Sequence, residues 1–417
     1  MAVPAEASLR ELLTEQGRRD PHAFYARLHE QGEAVRLSRT DRFAAAVCGY
    51  QAADRVLRDP NFRVLDEQFL DRGGPGWRAH PVLRIMQTSL FNASGADHAR
   101  ARRLFSQAFT ARRVAALQPA IVALTERLLD QLAETDADAV TDFMAGFALP
   151  LPSAVVGEVL GVPAADRNGL IPRVRTFDAV LEIGQRSLAQ VRAADAAALE
   201  LEGYFAGLVA ERRAAPGADL ISALVATQAA APDELSEAEL LANLIVLFNA
   251  GFRTTANLLG NGLPVLLAHP EAAAELRADP LLAPRFVEEL LRYEPPVHFA
   301  VRAADEDAEI AGVPIGKGEL VVVLTAAANR DPRRFADPDA FDPHRANLEH
   351  LAFSIGPHYC LGAGLGRVEG AVALPRLLRR FPDLALAGPP ADRHALMLRG
   401  YDQLLVRLGK PAAGTGA

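Results

Sequence analysis

Between Ser236 and Pro270 the chain is apolar with few interruptions, reading LANLIVLFNAGFRTTANLLGNGLPVLLA from Leu241. Ser236 and Glu239 stand in capping-box spacing ahead of that run, so the pattern predicts one helix. At 1.5 Å per residue, about 32 residues reach roughly 48 Å, enough to cross the whole molecule. A helix apolar on most sides belongs in the core. The other segments arrange themselves around it. A short helix is expected over residues 21–31 after Pro21, and FAAAVCGY with its flanks reads as strands of a small sheet. Residues 62–96 are rich in Gly, Asp and Arg, carry the only tryptophan, Trp77, and read as a long irregular loop. From Ala111 to Thr227 the pattern is almost wholly helical, with breaks expected at Pro150, Pro152, Pro163, Pro172 and Pro216. RFVEELLRY predicts another helix, VHFAVRAADEDAEIAGVPIGKGELVVV predicts strands around a Gly-rich turn, and Leu365–Arg380 a last long helix. The fold class is therefore mainly α with a minor β-sheet.

Composition narrows the class. Of 417 residues, 50% are apolar and 23% charged, so a large core can be buried. No Gly/Ser linker or repeat marks a boundary, and residues 1–417 are expected to form a single domain with a loose tail over 411–417. No apolar run reaches the length of a signal peptide or a membrane span, which predicts a cytoplasmic protein. A net charge of −8 argues against nucleic acid as the main partner. The two cysteines, Cys48 and Cys360, are far apart and lack CxxC spacing, so neither a disulfide framework nor a zinc site is indicated.

Candidate chemistry concentrates at FSIGPHYCLGAGLGRVE, residues 353–369. Cys360 lies between a glycine-rich loop and a helix start, where amide dipoles stabilise a thiolate. Gly356, Gly362 and Gly364 let backbone approach something bulky and flat, and Phe353 offers an aromatic wall. An isolated cysteine is more often a buried structural thiol. The surrounding pattern, however, resembles the haem-binding loop of the cytochrome P-450 family, with Phe353, Gly356, His358, Cys360, Gly362, Leu365 and Arg367 at its positions. Gly366 stands where that family usually has Ala. Further motifs follow the family's order. His98 and Arg102 share a helix face, which alone could be a solvated basic face. The resemblance makes them ligands of the haem propionates, although the usual Asp-Pro-Pro before the histidine is replaced by Ser94, Gly95, Ala96 and Asp97. Glu289 and Arg292 match the family's ExxR, with Arg345 as third partner. Arg302 matches its propionate-binding arginine, and residues 164–213 match the two helices and loop that roof its substrate pocket.

The resemblance implies a monooxygenase that holds a b-type haem through Cys360, its thiolate pushing electron density onto the iron. Phe353, His358 and Gly362 join His98, Arg102 and Arg302 as haem-binding residues, while Glu289, Arg292 and Arg345 support the cysteine loop. In the central helix, Gly251 is expected to leave room for dioxygen and Thr254 to hydrogen-bond it. A hydroxyl that returns to its own helix carbonyl is the plain alternative for Thr254. Phe248, Ala250, Arg253, Val297, His298, Phe299, Ala300 and Met397 are expected at the substrate pocket. Arg253 replaces the family's usual acid and cannot relay protons. It either pairs with a carboxylate on a neighbouring helix or anchors an anionic substrate. The second option carries a peroxygenase alternative, and a non-catalytic haem-thiolate binder or sensor is the alternative from another class. With no dinucleotide fingerprint after a strand, electrons must come from a separate ferredoxin-type protein, expected to dock at Arg102, Arg103, Arg112, Arg113 and Arg367. The chain is expected to act as a monomer on a small molecule, away from membranes.

Overall fold

The computed structural model describes residues 7–136, 139–182, 186–392 and 395–412. Most of the expected tail, residues 413–417, lies outside them, although the Ala412 amide bonds the Arg380 carbonyl.

The central helix spans Glu237–Ala268, and Ser236 and Glu239 close its capping box reciprocally. Nearly all of its residues are buried, as its apolar circumference requires. Helix Pro150–Leu160 packs on one side, and helices Ala283–Tyr293 and Ala363–Arg380 on another. Above it, Ala164–Phe177 and Leu188–Ala214 form the expected roof pair. The main sheet runs Ala34–Arg36, Ala45–Val47, Leu320–Val323, Ala300–Ala304, Phe62–Arg63 in spatial order. Only its second and third strands are parallel. Among the described residues, no single helix is long and apolar enough to cross a membrane.

Two expectations change. Residues 62–96 are not one irregular loop: after a two-residue strand they fold into short helical segments, Glu67–Asp71, Pro75–Ala79 and Pro81–Thr88. Asp66 caps the first, accepting from the Phe69 amide, and Pro75 and Pro81 start the others, where a missing N–H costs nothing. Pro152 and Pro172 do not break helices. Pro152 lies in the first turn of Pro150–Leu160, while Pro172 sits inside Ala164–Phe177, held by tertiary packing of Leu170, Val174 and Phe177.

Candidate active site

Cys360 follows a 3-10 turn, Gly356–His358, and precedes helix Ala363–Arg380. Gly356 has φ +74°, and a Cβ there would stand 2.8 Å from the Leu57 carbonyl oxygen, so the loop needs glycine at that point. The Cys360 amide donates to the Phe353 carbonyl at 2.9 Å, which closes the loop. The amides of Gly362 and Ala363 point at the sulfur, and Arg102 and Arg367 add positive potential; burial nevertheless pushes the thiol up. The residue has accessible surface although protein surrounds it. That combination suits a thiol set back in a recess rather than on an open surface. Cys48 differs: it is fully buried, its sulfur lies 3.2 Å from the Gly32 carbonyl, and burial holds its thiol at about 12.

Beside the cysteine loop, the structure brings together four predicted residues from three elements, His98 and Arg102 sharing one helix. His98 sits on helix Gly95–Ser106, and its ring centroid lies 4.1 Å from that of His358. Burial, foremost, and the neighbouring Arg302, His98 and Arg102 push His358 down to about 3, and burial with Arg102 lowers His98. Arg302, 5% exposed, lies on the strand paired with Leu320–Val323; its Nη1 donates to the carbonyl of neighbouring Val301, and burial lowers it to about 10. Neither Arg302 nor Arg102 forms an ion pair among the described residues. A buried Arg302 and a half-buried Arg102 beside two histidines, with no acid among them, are costly unless an anion completes the group. These residues therefore fit a flat cofactor with carboxylate tails beside Cys360.

The opposite wall comes from the central helix. Leu247, Ala250, Gly251 and Thr254 form its least buried stripe, at i, i+3, i+4 and i+7. Leu247 was not foreseen, although that spacing contains it. The Thr254 hydroxyl donates to the Ala250 carbonyl at 2.9 Å, the plain alternative above. A Cβ at Gly251 would meet Val156 of helix Pro150–Leu160 at 2.5 Å, so the missing side chain lets that helix pack closely. The expectation for Phe248 changes. It is fully buried, with its ring 6.0 Å from Phe205 of the roof and 5.5 Å from Phe252, on the face away from the stripe.

Four consecutive pocket residues, 297–300, cannot all face one way in an extended chain. Val297 and Ala300 are half-buried, as is Met397 across the Val297–Leu398 bridge. Phe299 turns into the core with Leu396, Ala303 and Val322. His298, 1% exposed, accepts or donates to the Tyr25 hydroxyl at 3.1 Å and lies 3.9 Å from Glu294; it is a buried structural histidine.

Arg253 has a protein partner. Its Nε lies 2.9 Å from Asp178 Oδ2, with side chains 6% and 5% exposed. Asn249, one turn earlier, donates to the other oxygen of Asp178. Asp178 follows the first roof helix, so the pair joins roof and core, and the anchor for an anionic substrate is withdrawn. The support network is in place: Arg292 holds Glu289 bidentately at 2.7 and 2.8 Å, with neither side chain exposed, and Arg345 Nε lies 3.6 Å away. One acid went unnoticed in the sequence. Glu369 is 1% exposed, its Oε2 has no hydrogen-bond partner among the described residues, and burial raises it well above the carboxylate range.

Comparison with known proteins agrees with this geometry. Residues 192–387 match the model of the family described as Cytochrome P450. A putative cytochrome P450 140 of Mycobacterium tuberculosis is 39% identical over 411 residues, covering 94% of this chain and 89% of that protein. The chain belongs to the cytochrome P450 family. It is accordingly a haem-dependent oxidoreductase of the monooxygenase type. The 6-deoxyerythronolide B hydroxylase of Saccharopolyspora erythraea is 37% identical, with 93% and 96% of the two chains covered. The solved structure of the P450 enzyme CxnD, for C–S bond formation in chuangxinmycin biosynthesis, superposes with TM-score 0.88 at 34% identity, covering 99% of each chain. Of the expected docking cations, Arg103 is paired with Glu234 at 2.6 Å and Arg367 with Glu288 at 2.6 Å, whereas Arg112 and Arg113 are exposed.

Proposed function

We propose that this cytochrome P450 holds a b-type haem through Cys360 and oxidises a small, uncharged, mainly apolar molecule of specialised metabolism, with electrons supplied by a separate ferredoxin-type protein. The observation that carries the reading is the meeting of an amide-facing thiol with the acid-free cluster of His98, Arg102, Arg302 and His358. Those four residues would hold the propionates, and no CxxCH run offers a covalent attachment. Bound there, thiolate-ligated haem supplies dioxygen activation for insertion into an unreactive bond.

The chain's own residues do the rest. Phe353 and Gly362 bound the ligand loop, and Leu247, Ala250, Val297, Ala300 and Met397 present an apolar wall to substrate. Arg253 adds no net charge, because Asp178 cancels it. The peroxygenase alternative thereby loses the substrate carboxylate it relied on. Thr254 offers a hydroxyl on the least buried stripe of the central helix, where Arg253 cannot give up a proton. Gly366, on the same helix as Glu369, would put a Cβ 3.5 Å from the Thr255 hydroxyl, so that helix face abuts the central helix next to Thr254.

The test is spectroscopic. Cys360→Ser should abolish the red-shifted Soret band of the reduced carbonyl complex, while Cys48→Ser keeps it. Loss of the band in the Cys48 variant alone would overturn the assignment.

A further inference from the structure

Glu288 stands next to Glu289 on helix Ala283–Tyr293, yet the helix turns the two acids to different partners. Glu289 joins the Arg292–Arg345 support network. Glu288 holds Arg367 in a two-pronged pair, Nε to Oε1 at 2.6 Å and Nη2 to Oε2 at 3.0 Å. Arg367 in turn reaches both ends of the ligand loop. Its Nη1 donates to the Tyr359 hydroxyl at 2.9 Å, one residue before Cys360, and its guanidinium sits 4.5 Å over the Phe353 ring. Phe353 is the residue whose carbonyl takes the Cys360 amide. His350 completes the group: its Nδ1 accepts the Ala352 amide at 3.1 Å, which leaves the ring proton on Nε2, 3.2 Å from Glu288.

We propose that Glu288 is a positioning residue for Cys360: by forking Arg367 it fixes the ligand loop and cancels a cation that would otherwise draw electron density from the sulfur. Planar bidentate pairs of this kind carry geometric specificity that a single contact lacks. The charge matters because Arg367 contributes to the potential at Cys360. Glu288 itself is held down at about 2 by His350 and Arg367 against its burial, so it remains a countercharge at working pH. The group borders a groove of ≈ 700 Å³, so polar replacements there can be hydrated rather than forced into the core.

The proposal rests on Cys360 being the iron ligand, and its test uses the haem-loaded protein. The measurement is the one-electron reduction potential, read with the reduced carbonyl spectrum. Glu288→Gln keeps the shape and exposes the Arg367 charge, which favours the reduced iron. The reduction equilibrium should move about tenfold upward, or about 59 mV. Arg367→Gln removes the cation and should move it downward, and the double variant should return towards wild type. Glu288→Asp keeps the charge and should stay within about twofold. Shifts in the same direction for both single variants, or equal behaviour of Glu288→Gln and Glu288→Asp, would overturn the proposal. If wild type itself lacks the thiolate band, the reading of Cys360 fails instead.

Discussion

Two buried arginines, one on the central helix and one on the main sheet, are satisfied in opposite ways. Arg253, on the central helix, meets Asp178 inside the protein, and Asn249 holds the far oxygen of the same carboxylate. Arg302, on the sheet, is as buried, but it bonds the carbonyl of its own neighbour Val301, and the surrounding Arg102, His98 and His358 bring no acid. Burial costs either charge several kcal/mol. The first repays that within the fold, and the second repays it only when an anion arrives. A buried arginine paired within the protein therefore speaks of architecture, and a buried arginine without an acid speaks of a ligand.

The largest effect should come from breaking the paired side. Arg253→Leu strips Asp178 of its main countercharge in a buried site and should cost on the order of 3–5 kcal/mol in denaturant unfolding of the haem-free protein. A loss below about 1 kcal/mol would mean the pair is incidental. Removing both partners, Arg253→Leu with Asp178→Leu, should recover most of that loss, because a buried pair replaced by apolar groups of similar volume is often neutral. A double variant as unstable as the single one would contradict a two-body pair.

Gly251→Ala should cost about 1–3 kcal/mol through its clash with Val156, and Val156→Ala should relieve part of it. Equal losses with either residue at position 156 would place the strain elsewhere.

The smallest effect concerns pH. Glu369 binds its proton more tightly folded than unfolded, because burial raises it. Its contribution is present below the unfolded pKa, and stability falls as pH rises above about 4.3, the ordinary value for glutamate. Glu369→Gln should therefore gain stability relative to wild type between pH 5 and pH 8, seen as a smaller decline in melting temperature. A parallel decline in both proteins would show the acid to be ionised in the fold.

How far the sequence reached follows from what each pattern encodes. The capping box and apolar circumference fixed the central helix end to end, and the spacing around Cys360 located the ligand loop. Both are local features. The pocket wall failed where direction mattered. Of residues 297–300, expected together at the pocket, His298 and Phe299 turn into the core, and Phe248, also expected there, is turned by its helix towards Phe205. Asp178 was out of reach because it lies 75 residues before Arg253 in a segment with no motif. Only the fold brings them together. Glu369 was visible as a letter but not as a buried acid, since its burial depends on what the fold packs against its helix.

The central claim is that the acid-free cluster around Arg302 exists for an anionic cofactor. Haem dissociation to an excess acceptor, measured on Arg302→Leu beside Arg253→Leu, tests it most directly. The account predicts that Arg302→Leu releases haem at least about tenfold faster while its haem-free form melts no earlier than wild type, and that Arg253→Leu melts earlier with haem release changed far less. Haem release unchanged in Arg302→Leu, with the haem-free protein destabilised, would contradict it.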